Sequence, residues 1–230
     1  MKLGGFQKQS LIDYPGKITA TVFTIGCNFR CPYCHNKGLV LGGAEEMSEE
    51  DVFAYLEENK KLLDAVTITG GEPTLQKDLQ EFIKKLKEKG FLVKLDTNGS
   101  NPRILKELLP DLDYIAMDVK SSLAFEKYNS SAGTKGKELL EKVKESIDII
   151  KHSGVDHEFR TTVVPGLHTP EDIESICKYL GEERFALQQF RPGKTLDEKY
   201  SEIKPFGKEE LEDMKGRCKK CMKEVSLRGV

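Results

Sequence analysis

The sequence predicts an α/β fold built on a parallel sheet. Three observations carry this. Short β-branched runs alternate with amphipathic stretches at helical spacing, six strand–helix alternations follow one another, and glycine or proline stands at many of the junctions. Such alternation requires crossover connections, and crossovers within one sheet are right-handed and leave the strands parallel. Periodicity leaves open whether the sheet stays open or curls into part of a barrel.

Ile18 to Thr24 is an apolar, β-branched run and reads as the first strand. Ser48-Glu49-Glu50-Asp51 supplies an N-cap with an acidic third helical residue, opening a helix to about Lys60. Ala65 to Thr69 is the second strand and ends at Gly70-Gly71. Leu79, Phe82, Ile83 and Leu86 then share one helical face, which Gly90 terminates. Phe91 to Leu95 is the third strand, and Asn101-Pro102 serves as cap and first residue of the next helix. Tyr114 to Met117 is the fourth strand; Leu139, Val143, Ile147 and Ile150 mark a helix ending near Gly154. Glu158 to Val164 is the fifth strand. Thr169-Pro170-Glu171-Asp172 starts a helix holding Cys177, read as a small buried apolar residue, and Arg184 to Phe190 is the sixth strand. The stretch from Glu209 to Lys223 is charged and helix-like, and carries Cys218-Lys219-Lys220-Cys221. No linker divides the chain. The expectation is one domain over 1–230, with a core of about 17–192, an N-terminal extension 1–16 and a helical C-terminal tail of about 205–230.

Lys+Arg 36 against Asp+Glu 38 gives a net charge of -2, without the basic excess that nucleic-acid binding requires. No run approaches the roughly 20 apolar residues of a membrane span, and the N-terminus lacks the apolar core of a signal peptide. The reading is a cytoplasmic protein without membrane partners. Its six cysteines are then expected in metal or redox roles rather than structural disulfides.

The chemistry centres on Cys27-Asn28-Phe29-Arg30-Cys31-Pro32-Tyr33-Cys34. Three thiols in one loop are an odd number for disulfides and one too few for a closed zinc site. They suit a cubane iron–sulfur cluster held at three irons, whose fourth iron is open to a ligand. The other unusual polar residues follow the remaining strands: Gly70-Gly71-Glu72-Pro73, Asp96-Thr97-Asn98-Gly99, Asp118-Val119-Lys120, Arg160, then Gln188, Gln189 and Arg191. Functional groups in parallel α/β folds gather at such strand ends.

These motifs, together with Asp13-Tyr14-Pro15-Gly16 and Val163-Val164-Pro165-Gly166, resemble the radical S-adenosylmethionine (SAM) enzymes, and among them the glycyl-radical-enzyme activases. The resemblance covers roughly residues 3–192. It implies a partial (β/α)6 TIM-like barrel, a [4Fe-4S] cluster on Cys27, Cys31 and Cys34, and SAM chelated at the open iron. An electron from the cluster would cleave a sulfonium C–S bond to give a 5′-deoxyadenosyl radical. By the same resemblance Tyr33 lies beside the adenine, Gly70 and Gly71 permit close backbone approach, and Glu72 accepts from the methionyl ammonium. Lys120 or Arg160 pairs the SAM carboxylate or a nearby acid. Asp96, Asn98 and Asp118 fall near SAM, with a monovalent cation as a further possibility at the two aspartates.

The function so implied is abstraction of a glycine Cα hydrogen in a partner glycyl radical enzyme, with a flavodoxin- or ferredoxin-type electron donor. Only 36 positions separate Cys34 from Gly70, too few for a ferredoxin-like insertion. Gly4-Gly5-Phe6-Gln7-Lys8, Ser10 to Gly16 and Phe190-Arg191-Pro192-Gly193 look most like activators of anaerobic ribonucleoside-triphosphate reductase. The alternatives are a pyruvate formate-lyase activase, a radical SAM enzyme acting on a small molecule, and an iron–sulfur electron carrier. Each motif also has a plainer reading. The cysteines would form a zinc site if His35 or the Cys218–Cys221 pair completed them, Asp96 and Asn98 would be turn residues, and Asp118 with Lys120 a structural ion pair. Cys218 and Cys221 fit a redox pair, half of a metal site between two chains, or two thiols without a role. His152, His157 and His168 have no ligand spacing.

Overall fold

The computed structural model describes residues 1–230. In chain order the elements are β1 (Leu3–Ser10), β2 (Thr19–Thr24), α1 (Lys37–Leu41), α2 (Glu49–Glu58), β3 (Ala65–Gly70), α3 (Leu79–Glu88), β4 (Leu92–Thr97), α4 (Pro102–Leu108) and β5 (Tyr114–Asp118). They continue with α5 (Phe125–Ala132), α6 (Lys137–Lys151), β6 (Asp156–Val163), α7 (Pro170–Leu180), β7 (Arg184–Gln189), α8 (Lys208–Cys218) and β8 (Glu224–Arg228).

The eight strands form one sheet whose spatial order is the order of the sequence. β1 runs antiparallel to β2, and every later pair is parallel. A parallel sheet wound in one direction, with a helix returning each crossover, is barrel-like; β1 and β8 do not pair, so the barrel is partial.

All six predicted strands form, and two more join them at the edges. β1 lies in the expected extension 1–16, where Leu-Gly-Gly-Phe-Gln-Lys-Gln-Ser has little β propensity of its own. It becomes a strand because β2 presents an unpaired edge, and Leu3 anchors it in the core. The tail expected to be helical is helical only to Cys218. Beyond it the chain turns and adds β8 to the edge of β7.

Two of the six cysteines are in a structural disulfide, contrary to the expectation of metal or redox roles alone. Cys177 and Cys218, both fully buried, form a disulfide that ties α7 to α8, with Cα atoms 5.5 Å apart. Cys177 is therefore a crosslink rather than only a packing residue. Cys218 does not pair with Cys221, whose thiol donates to the Cys218 carbonyl at 3.6 Å.

The sheet has two unlike faces. Toward the helices, Val22, Ile68, Leu95, Met117 and Phe159 pack on Phe82, Ile83, Leu86, Val143 and Ile147 in one continuous core. Each large side chain so buried contributes about 1.5–3 kcal/mol. Period-two alternation turns the intervening residues inward, and that concave face carries Thr21, Thr67, Lys94, Asp96, Asp118, Glu158, Arg160 and Arg228. The Asp13–Gly16 segment seals the N-terminal end of this interior. Thr21 donates to Asp13 at 2.9 Å, and the Tyr14 ring packs 5.5 Å from that of Tyr114.

Candidate active site

A cavity of about 170 Å³ opens at the C-terminal ends of β2 to β5. It is lined by Cys27, Cys31 and Cys34 after β2, Gly70-Gly71-Glu72 after β3, Asp96-Thr97-Asn98 at the end of β4, and Asp118 and Lys120 after β5. Residues spread over nearly a hundred positions are brought together because parallel strands all end on the same side.

The cysteine loop is held by its own backbone and by α5. Cys34 N–H donates to the Cys31 carbonyl at 3.0 Å, and Arg30 N–H to the Ala132 carbonyl at 2.9 Å. The Arg30 guanidinium folds back onto the Cys27 and Phe29 carbonyls. Burial pushes the Cys31 thiol up to about 12 and raises that of Cys27. Metal coordination reverses this, since a coordinating thiol is deprotonated outright.

The residues fit a cluster better than a single ion. No three His, Cys, Asp or Glu side chains converge tightly enough to hold one metal ion. Of the groups that would complete a zinc site, Cys218 is in the disulfide, and the His35 ring stacks on Phe190 with Nδ1 bonded to the Lys194 carbonyl at 3.0 Å. Cys27 Sγ accepts from Phe29 N–H at 3.4 Å and from the Asn98 amide at 3.9 Å, donors that favour a thiolate.

The two glycines serve the protein's own packing. A Cβ on Gly71 would lie 2.0 Å from the Gly26 carbonyl oxygen, and one on Gly70 (φ +112°) 2.3 Å from Thr24 N. Only glycine lets the β3 turn lie against the entry to the cysteine loop, where Gly71 N–H donates to Thr24 and Glu72 N–H to Gly26.

Glu72 is almost fully buried. Its Oε1 accepts from Thr74 N–H (3.1 Å), Thr74 Oγ1 (2.7 Å) and Thr97 Oγ1 (2.8 Å), and its Oε2 from Asn98 N–H (2.7 Å). Burial pushes this carboxyl up from its ordinary range, and these donors pull it back. Oε2, with one donor, keeps capacity for another.

Five charged side chains form a chain beneath the cavity. Lys94 Nζ lies 2.5 Å from Asp96 Oδ1, Arg160 Nη1 3.1 Å from Asp96 Oδ2, Arg160 Nε 2.9 Å from Asp118 Oδ1, and Lys120 Nζ 3.0 Å from Asp118 Oδ2. Burial pushes both carboxyls up, but Arg160 with Lys94 on Asp96, and Arg160 with Lys120 on Asp118, outweigh it and hold both below their ordinary range. Asp96, Asp118 and Lys120 line the upper cavity. Lys94 and Arg160 line a second cavity of about 500 Å³ further into the barrel, beside Tyr14, Glu158 and Arg228. The ion-pair chain is the partition between the two.

Two expected residues fall outside the upper cavity. Arg160 stands behind it and binds both aspartates, so Lys120 is the cation that lines the cavity. Tyr33 turns into the core with its ring edge-on to His168, and its hydroxyl has no partner. Its side chain does not form the cavity wall, because neighbouring residues of a tight loop point in different directions. Three contributors were given no role from the sequence. Lys94 had a signal, a lysine at strand parity with Asp96 in an otherwise apolar run, and Thr97 lies inside the Asp96–Gly99 motif. His168 had none; His168 Nε2 bonds the Lys120 carbonyl at 2.8 Å and its Nδ1 accepts from Val164 N–H at 3.0 Å.

The profile of the radical SAM superfamily matches residues 21–180. The chain belongs to that superfamily. A Methanocaldococcus jannaschii protein named for glycyl-radical enzyme activation is 40% identical over 235 residues, covering 99% of this chain and 96% of its own length. The pyruvate formate-lyase 1-activating enzyme of Escherichia coli K12 is 28% identical, with 94% of each chain covered. Within the superfamily this radical SAM enzyme belongs with the glycyl-radical-enzyme activating enzymes, a family that uses a [4Fe-4S] cluster and SAM. Solved structures bear out the fold. Streptococcus suis SuiB superposes with a TM-score of 0.65 at 16% identity, covering 90% of this chain and 48% of its own. Methylornithine synthase gives 0.60 at 13%, covering 90% and 70%. No helix of the enzyme is long and apolar enough to cross a membrane.

Proposed function

We propose that this enzyme cleaves SAM reductively and generates a glycyl radical on anaerobic ribonucleoside-triphosphate reductase. The observation that carries the reading is one cavity lined by three loop thiols, the Glu72 carboxylate and the Lys120 ammonium. Cys27, Cys31 and Cys34 would hold a [4Fe-4S] cluster, which when bound and reduced would supply the electron for cleavage of the sulfonium C–S bond. Glu72 Oε2 accepts from the methionyl ammonium, and Lys120 faces the carboxylate. Asn98 bridges the loops, donating to Asn28 Oδ1 at 3.1 Å. Gly70 and Gly71 hold the wall in register with the cysteine loop.

The partner is a protein loop, because a glycine Cα radical is stabilised by flanking peptide groups and no side chain blocks it. The reductase is favoured over pyruvate formate-lyase by the segments Gly4 to Lys8, Ser10 to Gly16 and Phe190 to Gly193. The full-length likeness to the E. coli activase favours pyruvate formate-lyase as second reading. A flavodoxin- or ferredoxin-type protein supplies the electron, in the cytoplasm.

The test is EPR of the anaerobically reconstituted, reduced protein mixed with SAM and each candidate partner. A glycyl radical on the reductase alone supports the first reading and one on the lyase alone the second. Failure to form 5′-deoxyadenosine and methionine ends both. Cys31→Ala should retain neither the cluster's EPR signal nor SAM cleavage; retained cleavage overturns the ligand set.

A further inference from the structure

The family resemblance raised a monovalent cation at Asp96 and Asp118, and the residues present do not fit one. All four carboxylate oxygens already face a cation belonging to the chain: Lys94 and Arg160 on Asp96, Arg160 and Lys120 on Asp118. Three fixed positive charges against two negative ones leave the partition with a positive excess. A further cation would meet that excess, and each carboxylate oxygen it could approach already faces a fixed positive charge.

Lys94 is the member of this chain that nothing else in the structure requires. It is 2% exposed, stands on β4 between Thr67 and Tyr114 in register, and has Asp96 Oδ1 as its acceptor. A lysine so buried is costly unless its charge is used. It reaches Asp96 from the side of the inner cavity, opposite the side on which Asp96 lines the upper one. A mobile ion there would have to be captured at each assembly of the site; the lysine is attached.

We propose that the Lys94 ammonium does in this enzyme the work of a bound monovalent cation, so that the SAM site is complete without potassium or sodium. This rests on the SAM reading of the upper cavity. It makes Lys94 a positioning residue, which acts through Asp96 and touches neither SAM nor the partner.

The experiment compares wild type, Lys94→Met and Lys94→Arg in tetramethylammonium, sodium and potassium chloride at equal ionic strength. Two readouts are taken: equilibrium SAM binding to the cluster-loaded protein, and ²³Na NMR line broadening on the cluster-free protein. Wild type should bind SAM equally in all three salts and give no saturable sodium broadening. Lys94→Met should bind SAM about tenfold more weakly in tetramethylammonium, recover saturably with sodium or potassium, and broaden the sodium line. Lys94→Arg should behave as wild type.

A wild type whose SAM affinity rises saturably with potassium or sodium overturns the proposal, as does a folded Lys94→Met protein indifferent to the cation. Should Lys94→Met not fold, the wild-type arms and Lys94→Arg decide alone. Absence of SAM binding by wild type in every salt sinks the SAM reading instead, while the sodium line still reports on the ion.

Discussion

Thr97 Oγ1 donates to Glu72 Oε1 at 2.8 Å, a bond from the end of β4 to the loop after β3. The same hydroxyl accepts from Gly99 N–H at 3.1 Å, so one threonine orders both the carboxylate and the turn that carries Asn98. Removing it leaves Glu72 buried with one donor fewer. Thr97→Val, nearly the same shape, should lower stability by about 1–3 kcal/mol and weaken SAM binding. Chemical denaturation and equilibrium binding check the two effects separately.

Gly71→Ala places a methyl group 2.0 Å from the Gly26 carbonyl, a backbone atom that cannot swing aside. The expected cost is about 2–4 kcal/mol, with loss of cluster retention because the cysteine loop must move. Gly43→Ala is the control, since a Cβ there meets nothing within 4 Å. It should stay within about 0.5 kcal/mol of wild type. Equal behaviour of the two variants in a urea melt would refute the packing account.

Burial holds the His168 imidazole below its ordinary value, with Nδ1 accepting from Val164 and Nε2 donating to Lys120. A base whose folded pKa is depressed contributes stability that is fully present above its unfolded pKa, near 6.5, and is lost as pH falls toward the folded value. The melting temperature should therefore drop between pH 7.5 and pH 5 by more in wild type than in His168→Asn, as thermal scans at the two pH values will show. A parallel drop in both proteins would rule out His168 as the source.

The Cys177–Cys218 disulfide closes a sequence separation of 41 and pins α8, which feeds β8 into the sheet. Reduction, or Cys177→Ala, should cost about 2–4 kcal/mol under otherwise identical conditions. Cys221→Ala should cost little. The Cys218→Ala, Cys221→Ala double variant should still cleave SAM, because neither sulfur lines the active cavity. Loss of cleavage in a folded double variant would give the tail a catalytic part.

The six parallel strands, the helix starts at Ser48, Pro102 and Thr169, and the grouping of cysteines, Glu72, Asp96 and Asp118 at strand ends were legible in the sequence. They depend on neighbours within a few residues: alternation, capping, and the rule that parallel strands end together. The helix read to start at Thr169 does so, and the structure adds a Thr169–Asp172 capping box. What involves distant partners was not legible. β1 and β8 exist because the edges of β2 and β7 were unpaired, not because their own residues favour strands. Cys177 was readable only as an apolar position, since helical periodicity says nothing of which helix lies alongside. Tyr33 turned inward where the motif suggested a cavity wall, and Arg160 was taken up by two aspartates at once. The sequence by itself determined the three thiols and the order of the strands that surround them. Beyond the Asp118–Lys120 pair that strand parity offered, only the tertiary structure decided which charges meet, because Arg160 reaches Asp96 and Asp118 across neighbouring strands once the sheet curls and excludes water from them.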